Sequence, residues 1–369
     1  MRIKKEVRKI VASVLAFLMV VSLIPVNSLM TKANAASKTT FEGGKTVEDG
    51  TWKGWTWNVF GSSTDVTKAF ATDTGNGGVT LEVTGDKGKI NGSASDQGLN
   101  TFLYELDKSY DFTITAQAKV DTLAANAQAA FGLTIRDNVG AHGNTAKLTA
   151  DKNNFAFVGG YGNQAASGHG NAGYKTTALA HTRLGESPEV GGTYDLAIQK
   201  VGDSVKLYFN GEVAAECSAD DLITDNAMYV GLFAARNAKV TFNNVKLAYT
   251  QDSSSVKVTT NVTAPKKTTY CAGNTYEDVD LTGFKATVSV DGKEREITAS
   301  DCVVDMSNDP FAEVTDAGKL TLLYLGQTIE VPITVIKEVV SDMYIEYMPV
   351  KTDYMVTDTA LDFTGLVGK

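Results

Sequence analysis

The sequence predicts an all-β protein: a two-sheet jelly roll followed by a smaller β-sandwich. Period-two alternation recurs from residue 37 onward, with almost no stretch of sustained helical spacing. About ten strand-like runs, separated by turn signals, fill roughly 210 residues, which suits one jelly roll better than several small domains. Near residue 251 the composition shifts to Ser, Thr and Lys, dividing this region from the C-terminal part of the chain.

The first element is not part of that fold. MRIKKEVRK is a basic head, IVASVLAFLMVVSLIP an apolar run and MTKANAAS carries an A-x-A site, the order of a secretory signal peptide cut after Ala35. The run between Lys9 and Pro25 is short for a membrane span, so residues 1–35 are expected to be removed and the rest to be secreted, without membrane insertion. The whole chain holds 34 basic and 43 acidic residues; losing six bases and one acid with the leader moves the net charge from −9 to −14. Such acidity argues against a nucleic-acid partner, which needs clustered Lys and Arg. Three cysteines, Cys217, Cys271 and Cys302, are too few for a disulfide scaffold, and no C-x-x-C occurs. Cys271 and Cys302 share the later segment and could pair or stay free.

The jelly roll is expected over residues 37–250. WTWNV (55–59) sets Trp55, Trp57 and Val59 on one side, a core-facing stripe, and leaves Trp52 out of phase as a candidate for stacking on a sugar ring. VTLEV (79–83) and FLYEL (102–106) read as strands. In DFTITAQAKVD (111–121), Phe112, Ile114, Ala116, Ala118 and Val120 alternate with polar residues, predicting one buried and one wet face. In AFGLTIRD, Phe131, Leu133 and Ile135 take the apolar side, which puts Gly132, Thr134 and Arg136 on the other as a shallow polar floor ending in a bidentate donor. Asp137, His142 and Asn144 follow on the adjacent loop. FAFVGGY (155–161) leads into the glycine-rich loop 159–174, where Tyr161, His169 and Tyr174, with Arg183 beyond, could form a lip over a groove. YDLAIQKV and VKLYFNGE form a hairpin turning at Gly202-Asp203-Ser204. MYVGLFAAR (228–236) and AKVTFNNVKLAY (238–249) complete the series.

Residues 251–264 read as a linker, and an internal repeat comes after it. PKKTTY (265–270) with DLTGF (280–284) recurs as PVKTDY (349–354) with DFTGL (362–366), a spacing of 84 residues from Tyr270 to Tyr354 that matches one small β-sandwich. Residues 265–340 are expected to be the first copy and 341–369 the start of a second, cut short.

No catalytic constellation emerges. There is no G-x-S-x-G elbow, H-E-x-x-H or phosphate loop, and Glu105 with Asp107, the nearest pair of alternating acids, lacks a third acid in phase. No cofactor is required; Glu42 and Asp73 are the candidate ligands of a structural calcium.

GWTWNVFGSSTD, AFGLTIRDNVGAHGN, YDLAIQKVGDSVKLYFNGE and YVGLFAARNAKVTFNNVKL together resemble the concanavalin-like (laminin-G-like) jelly-roll modules of secreted bacterial polysaccharide-degrading enzymes, pectate lyases among them. PKKTTYCAGNTYEDVDLTGFKATVSVDGKEREIT resembles a bacterial Ig-like repeat, with Asp291-Gly292 as its hairpin turn. The resemblance implies a polysaccharide partner, a noncatalytic carbohydrate-binding first module and spacer repeats after it. A lyase domain of stacked β-helical repeats is not found in residues 37–369.

Overall fold

A computed structural model describes residues 39–61, 64–90, 97–126, 128–146, 148, 153–162, 170–175, 179–182, 188–338, 345–347, 364 and 367–368. The expected signal peptide lies outside these residues. No helix among them is long and apolar enough to cross a membrane. The chain divides into two compact units, Met1–Ser253 and Ser254–Lys369.

The first unit contains β1 (Thr39–Thr40), β2 (Trp55–Phe60), β3 (Ala69–Asp73), β4 (Val79–Val83), β5 (Leu99–Asp107), β6 (Asp111–Leu123), β7 (Ala130–Arg136), β8 (Phe155–Tyr161), β9 (Gly170–Lys175), β10 (Leu179–Thr182), β11 (Thr193–Val201), β12 (Ser204–Phe209), β13 (Glu212–Ser218), β14 (Ala227–Ala235) and β15 (Ala238–Thr250). They form an eight-stranded sheet, β1-β3-β4-β15-β6-β11-β12-β13, and a seven-stranded sheet, β10-β9-β8-β7-β14-β5-β2. These strands pair antiparallel, including the β11–β12 hairpin, whose two-residue turn starts at Gly202 with φ 56°.

The main core lies between the sheets. Phe112, Ile114, Ala116, Ala118 and Val120 of β6 face Phe131, Leu133 and Ile135 of β7, as alternation predicts, and Trp55, Trp57 and Val59 join them as core. Trp57 Nε1 donates to Asn100 Oδ1 at 2.7 Å, and Asn100 Nδ2 donates to the carbonyls of Phe70 and Glu82, tying β2 and β5 of one sheet to β3 and β4 of the other. At the far end Asp111 accepts from the Gly202 N–H at 2.7 Å and faces Lys200 Nζ at 3.6 Å, with both side chains nearly buried.

Two expectations need correction. The polar face of β6 is wet only toward its C-terminal end: Thr113 and Thr115 are buried, because short side chains on a central strand are shaded by neighbours such as Gln199, which donates to Thr113 Oγ1. The glycine-rich segment expected as a loop at 159–174 contains the end of β8 and most of β9. Glycine and alanine carry no strand propensity to announce the pairing of β9 with β8 and β10.

The second unit is also all β, with sheets β16-β18-β19 and β17-β22-β21-β20, formed by β16 (Lys257–Thr263), β17 (Thr269–Cys271), β18 (Lys285–Val290), β19 (Lys293–Thr298), β20 (Val303–Asp305), β21 (Thr315–Tyr324) and β22 (Gln327–Ile336). β17 runs parallel to β22, and the β18–β19 hairpin turns at Asp291-Gly292, both at positive φ. The linker expected at 251–264 is corrected: residues 257–263 are the edge strand β16, paired with β18 through an irregularity between Val258 and Val262. An edge strand can be polar on its open side, so its composition reads as linker.

The repeated motif has a structural reason. Tyr270 is buried against Phe311, its hydroxyl oxygen accepts the Asp280 N–H at 3.3 Å, and Lys267 Nζ lies 4.5 Å from its ring centre. Asp280 in turn accepts from the Thr282 N–H, so K-T-x-Y and D-L-T-G clasp each other. The second copy lies outside the described residues except for 345–347, 364 and 367–368, which include the paired β23 (Ile345–Tyr347) and β24 (Val367–Gly368). All three cysteines are free thiols.

Candidate functional site

The site is built on the outer face of the seven-stranded sheet, the side turned away from the main core. Alternation assigns the sides of β7 correctly: Gly132, Thr134 and Arg136 do face outward. It does not foresee that this face carries a second apolar layer. Phe60, Leu99, Phe155, Phe157 and Phe233 project from the strands, and Ile90, Val139 and Leu148 pack on them from loops. The expected open polar floor is therefore corrected. Thr134 and Arg136 are fully buried, and the Thr134 hydroxyl is occupied by donating to the Ala156 carbonyl at 2.9 Å. Gly132 and Gly159 stand opposite each other on β7 and β8; a Cβ on Gly132 would lie 1.9 Å from the Val158 oxygen, so the strands meet too closely for any side chain there.

Arg136 nevertheless sits at the centre of a polar cluster. Its Nη2 donates to Gln97 Oε1 and to Asn153 Oδ1, both at 2.8 Å, and its Nε donates to the Asn138 carbonyl at 3.2 Å. The guanidinium lies 5.2 Å from the Phe155 ring centre and 5.7 Å from that of Phe60. Asp137, also buried, accepts the Asn154 N–H at 2.9 Å and the Thr224 hydroxyl at 3.4 Å. Burial pushes its carboxyl up to about 6 against the opposing pull of Arg136, and burial draws Arg136 down to about 10.

Pairing register brings in a residue that sequence reasoning missed. Arg136 is opposite Phe155, and Phe155 is opposite Lys175, so the two cations flank one aromatic ring on the same face of adjacent strands. Lys175 is 4% exposed, and its ammonium is held below the ordinary lysine range by burial first and by repulsion from Arg136 second. Among the described residues, Arg136 Nη1 and Lys175 Nζ have no hydrogen-bond partner in this cluster. The row continues through Tyr229 to the exposed Glu105. A signal for Lys175 existed only as a position in a strand that composition hid.

The remaining expected residues are scattered. Trp52 is corrected from free stacker to core: the single turn at Gly50–Trp52 swings it inward, edge-on to Trp55 at 5.6 Å and Phe102 at 5.4 Å. His142 lies on the loop after β7 as expected, but its ring packs 5.0 Å from Trp57 and its Nδ1 accepts the Val59 N–H, so it fastens that loop to β2. Tyr161 is half-buried, edge-on to Phe157. His169 and Arg183 lie outside the described residues. Glu42 pairs with Lys45 at 2.6 Å, and Asp73 accepts the Gly75 N–H at 2.7 Å in a local turn. Among the described residues no group of three or more His, Cys, Asp and Glu gathers where a metal ion could be held. Asp107 accepts the Ser109 N–H, which holds its carboxyl below the usual range.

The class this architecture defines is an all-β protein of two-sheet sandwich form. No family model matches the chain. It is 29% identical over 311 residues to pectate lyase L of Thermoclostridium stercorarium, an alignment covering 83% of this chain and 23% of that protein. The chain thus spans under a quarter of the length of that relative. Among solved structures it is similar to the carbohydrate binding module CBM66 from Bacillus subtilis, at 16% identity over 58% of this chain and 96% of that one, with a TM-score of 0.29. It is also similar to the lectin UEA-II complexed with galactose, at 12% identity over 57% and 97%, with a TM-score of 0.33. Superpositions this loose add nothing to the sheet order itself.

Proposed function

We propose that residues 37–253 form a noncatalytic carbohydrate-binding module, that the second unit is an Ig-like spacer repeat, and that both belong to a larger secreted polysaccharide-degrading protein. The reading rests on the two-sheet architecture of the first unit together with the alignment to a pectate lyase. The pectate lyase relative supports the setting, since a stretch that fills most of this chain is under a quarter of that protein.

The test is affinity electrophoresis of the full chain through polygalacturonate, arabinan, xylan and fructan. Retardation on at least one polymer, without release of reducing or unsaturated ends, is the expected result. Migration unchanged on all four would sink the proposal and favour a purely structural or adhesive role.

A further inference from the structure

We infer that Arg136 and Lys175, which flank Phe155 in strand register, form a monoanion site whose ligand is a carboxylate. Neighbouring polar groups have partners within the protein. The Gln97 amide donates to the Ile90 carbonyl, the Asn154 amide to the Asp221 carbonyl, and Asp137 is engaged by Asn154 and Thr224. Among the described residues, two donors of this cluster are left over, both on cations at least nine-tenths buried and both on residues that flank Phe155 in register. Unsatisfied buried donors are uncommon in folded proteins, and two in one cluster point to an absent acceptor.

Charge fixes the kind of acceptor. Arg136 and Lys175 bring two positive charges and Asp137 one negative, so a single negative charge completes the cluster, whereas a dianion would overshoot it. The geometry agrees. Arg136 has spent Nη2 and Nε on protein acceptors and has one face to offer, and Lys175 offers a point charge, so the ligand is gripped by two separate donors. The two oxygens of a carboxylate meet one donor each. Asp137 attracts both cations without pairing with either, so its protonation would leave a larger positive excess.

The carboxylate could be borne by a sugar acid or by a small free acid, and only the first source rests on the carbohydrate-binding reading. The experiment is thermal melting of the full chain at constant ionic strength, with chloride as the baseline and acetate, monomeric galacturonate, polygalacturonate or neutral galactose added. The expected result is a saturable rise of a few degrees with a carboxylate, none with galactose, and at least a tenfold weaker response in Lys175→Met. This variant is expected to fold, because among the described residues Lys175 Nζ has no hydrogen bond to lose. A response to acetate equal to that of galacturonate supports the site with a free acid as ligand; a response to galacturonate alone supports it with a sugar acid. No rise with any carboxylate, or an equal rise in Lys175→Met, overturns the inference. Because polymer retardation is read separately, retention on neutral polymers with no carboxylate response would leave the binding module standing without this site.

Discussion

Replacing Lys175 with methionine should make the ligand-free protein more stable, an unusual direction for a change at a buried position. The side chain is 4% exposed, among the described residues its ammonium has no hydrogen-bond partner, and Arg136 repels it from across Phe155 while Asp137 attracts it. Methionine keeps the length and apolar stem and removes the desolvated charge. Replacing whole buried ion pairs by apolar groups of similar volume stabilises proteins by roughly 1–4 kcal/mol; here one unpartnered cation is removed, its attraction to Asp137 is lost and Asp137 keeps Arg136 as counter-charge, so the lower half of that range, about 2 kcal/mol, is expected. For a domain of roughly 200 residues that corresponds to a rise of about 4–8 °C in Tm. Scanning calorimetry in a buffer free of carboxylates reads it directly. A lower or unchanged Tm would show that the protein already satisfies Lys175 without a ligand, and would refute the reasoning that makes this cluster a site.

Gly132→Ala should destabilise the first unit by several kcal/mol, of the order of 3 or more, because φ is 149° and the new Cβ would meet a carbonyl that belongs to the paired strand; urea unfolding measures the loss. Asp111→Ala should cost about 3–5 kcal/mol by leaving Lys200 buried without its counter-ion, and Asp111→Asn should restore part of this by keeping an acceptor for Gly202. The folded Asp137 carboxyl binds its proton more tightly than an unfolded one, whose pKa is near 3.8, so its contribution to stability grows as pH falls from above 6 toward 4. A shift to about 6 corresponds to about 3 kcal/mol, and Asp137→Asn should flatten that part of the stability profile, as read from urea midpoints at a series of pH values. Tyr270→Phe should weaken the second unit by about 1 kcal/mol through loss of the hydroxyl that receives the Asp280 N–H, while leaving the first unit's melting unchanged.

Much of the fold was legible because strand alternation and turn chemistry are local. The five apolar residues of β6, the Gly202 and Asp291-Gly292 turns and the inward Trp55 and Trp57 follow from a side-chain period of two and from backbone conformations that few residues adopt. Residues 257–263 and 170–175 escape a sequence reading for one reason: their side chains give no apolar alternation, and only a partner strand distant in sequence makes them strands. Trp52 escapes because parity applies to a strand, and it sits on a turn beside one.

The sequence by itself determined which side of β7 Arg136 occupies, since that depends only on counting along an extended chain. The tertiary structure alone decided what that side became. Phe60, Ile90, Phe155 and Phe233 come from segments far apart in the chain and close over the outer face together, turning a would-be wet floor into a second core. Strand register, set by hydrogen bonds between β7, β8 and β9, then placed Lys175 beside Phe155 and gave Arg136 a second cation with no acceptor between them among the described residues. Neither burial nor register is a property of any short stretch, because both are fixed by which segments pack together.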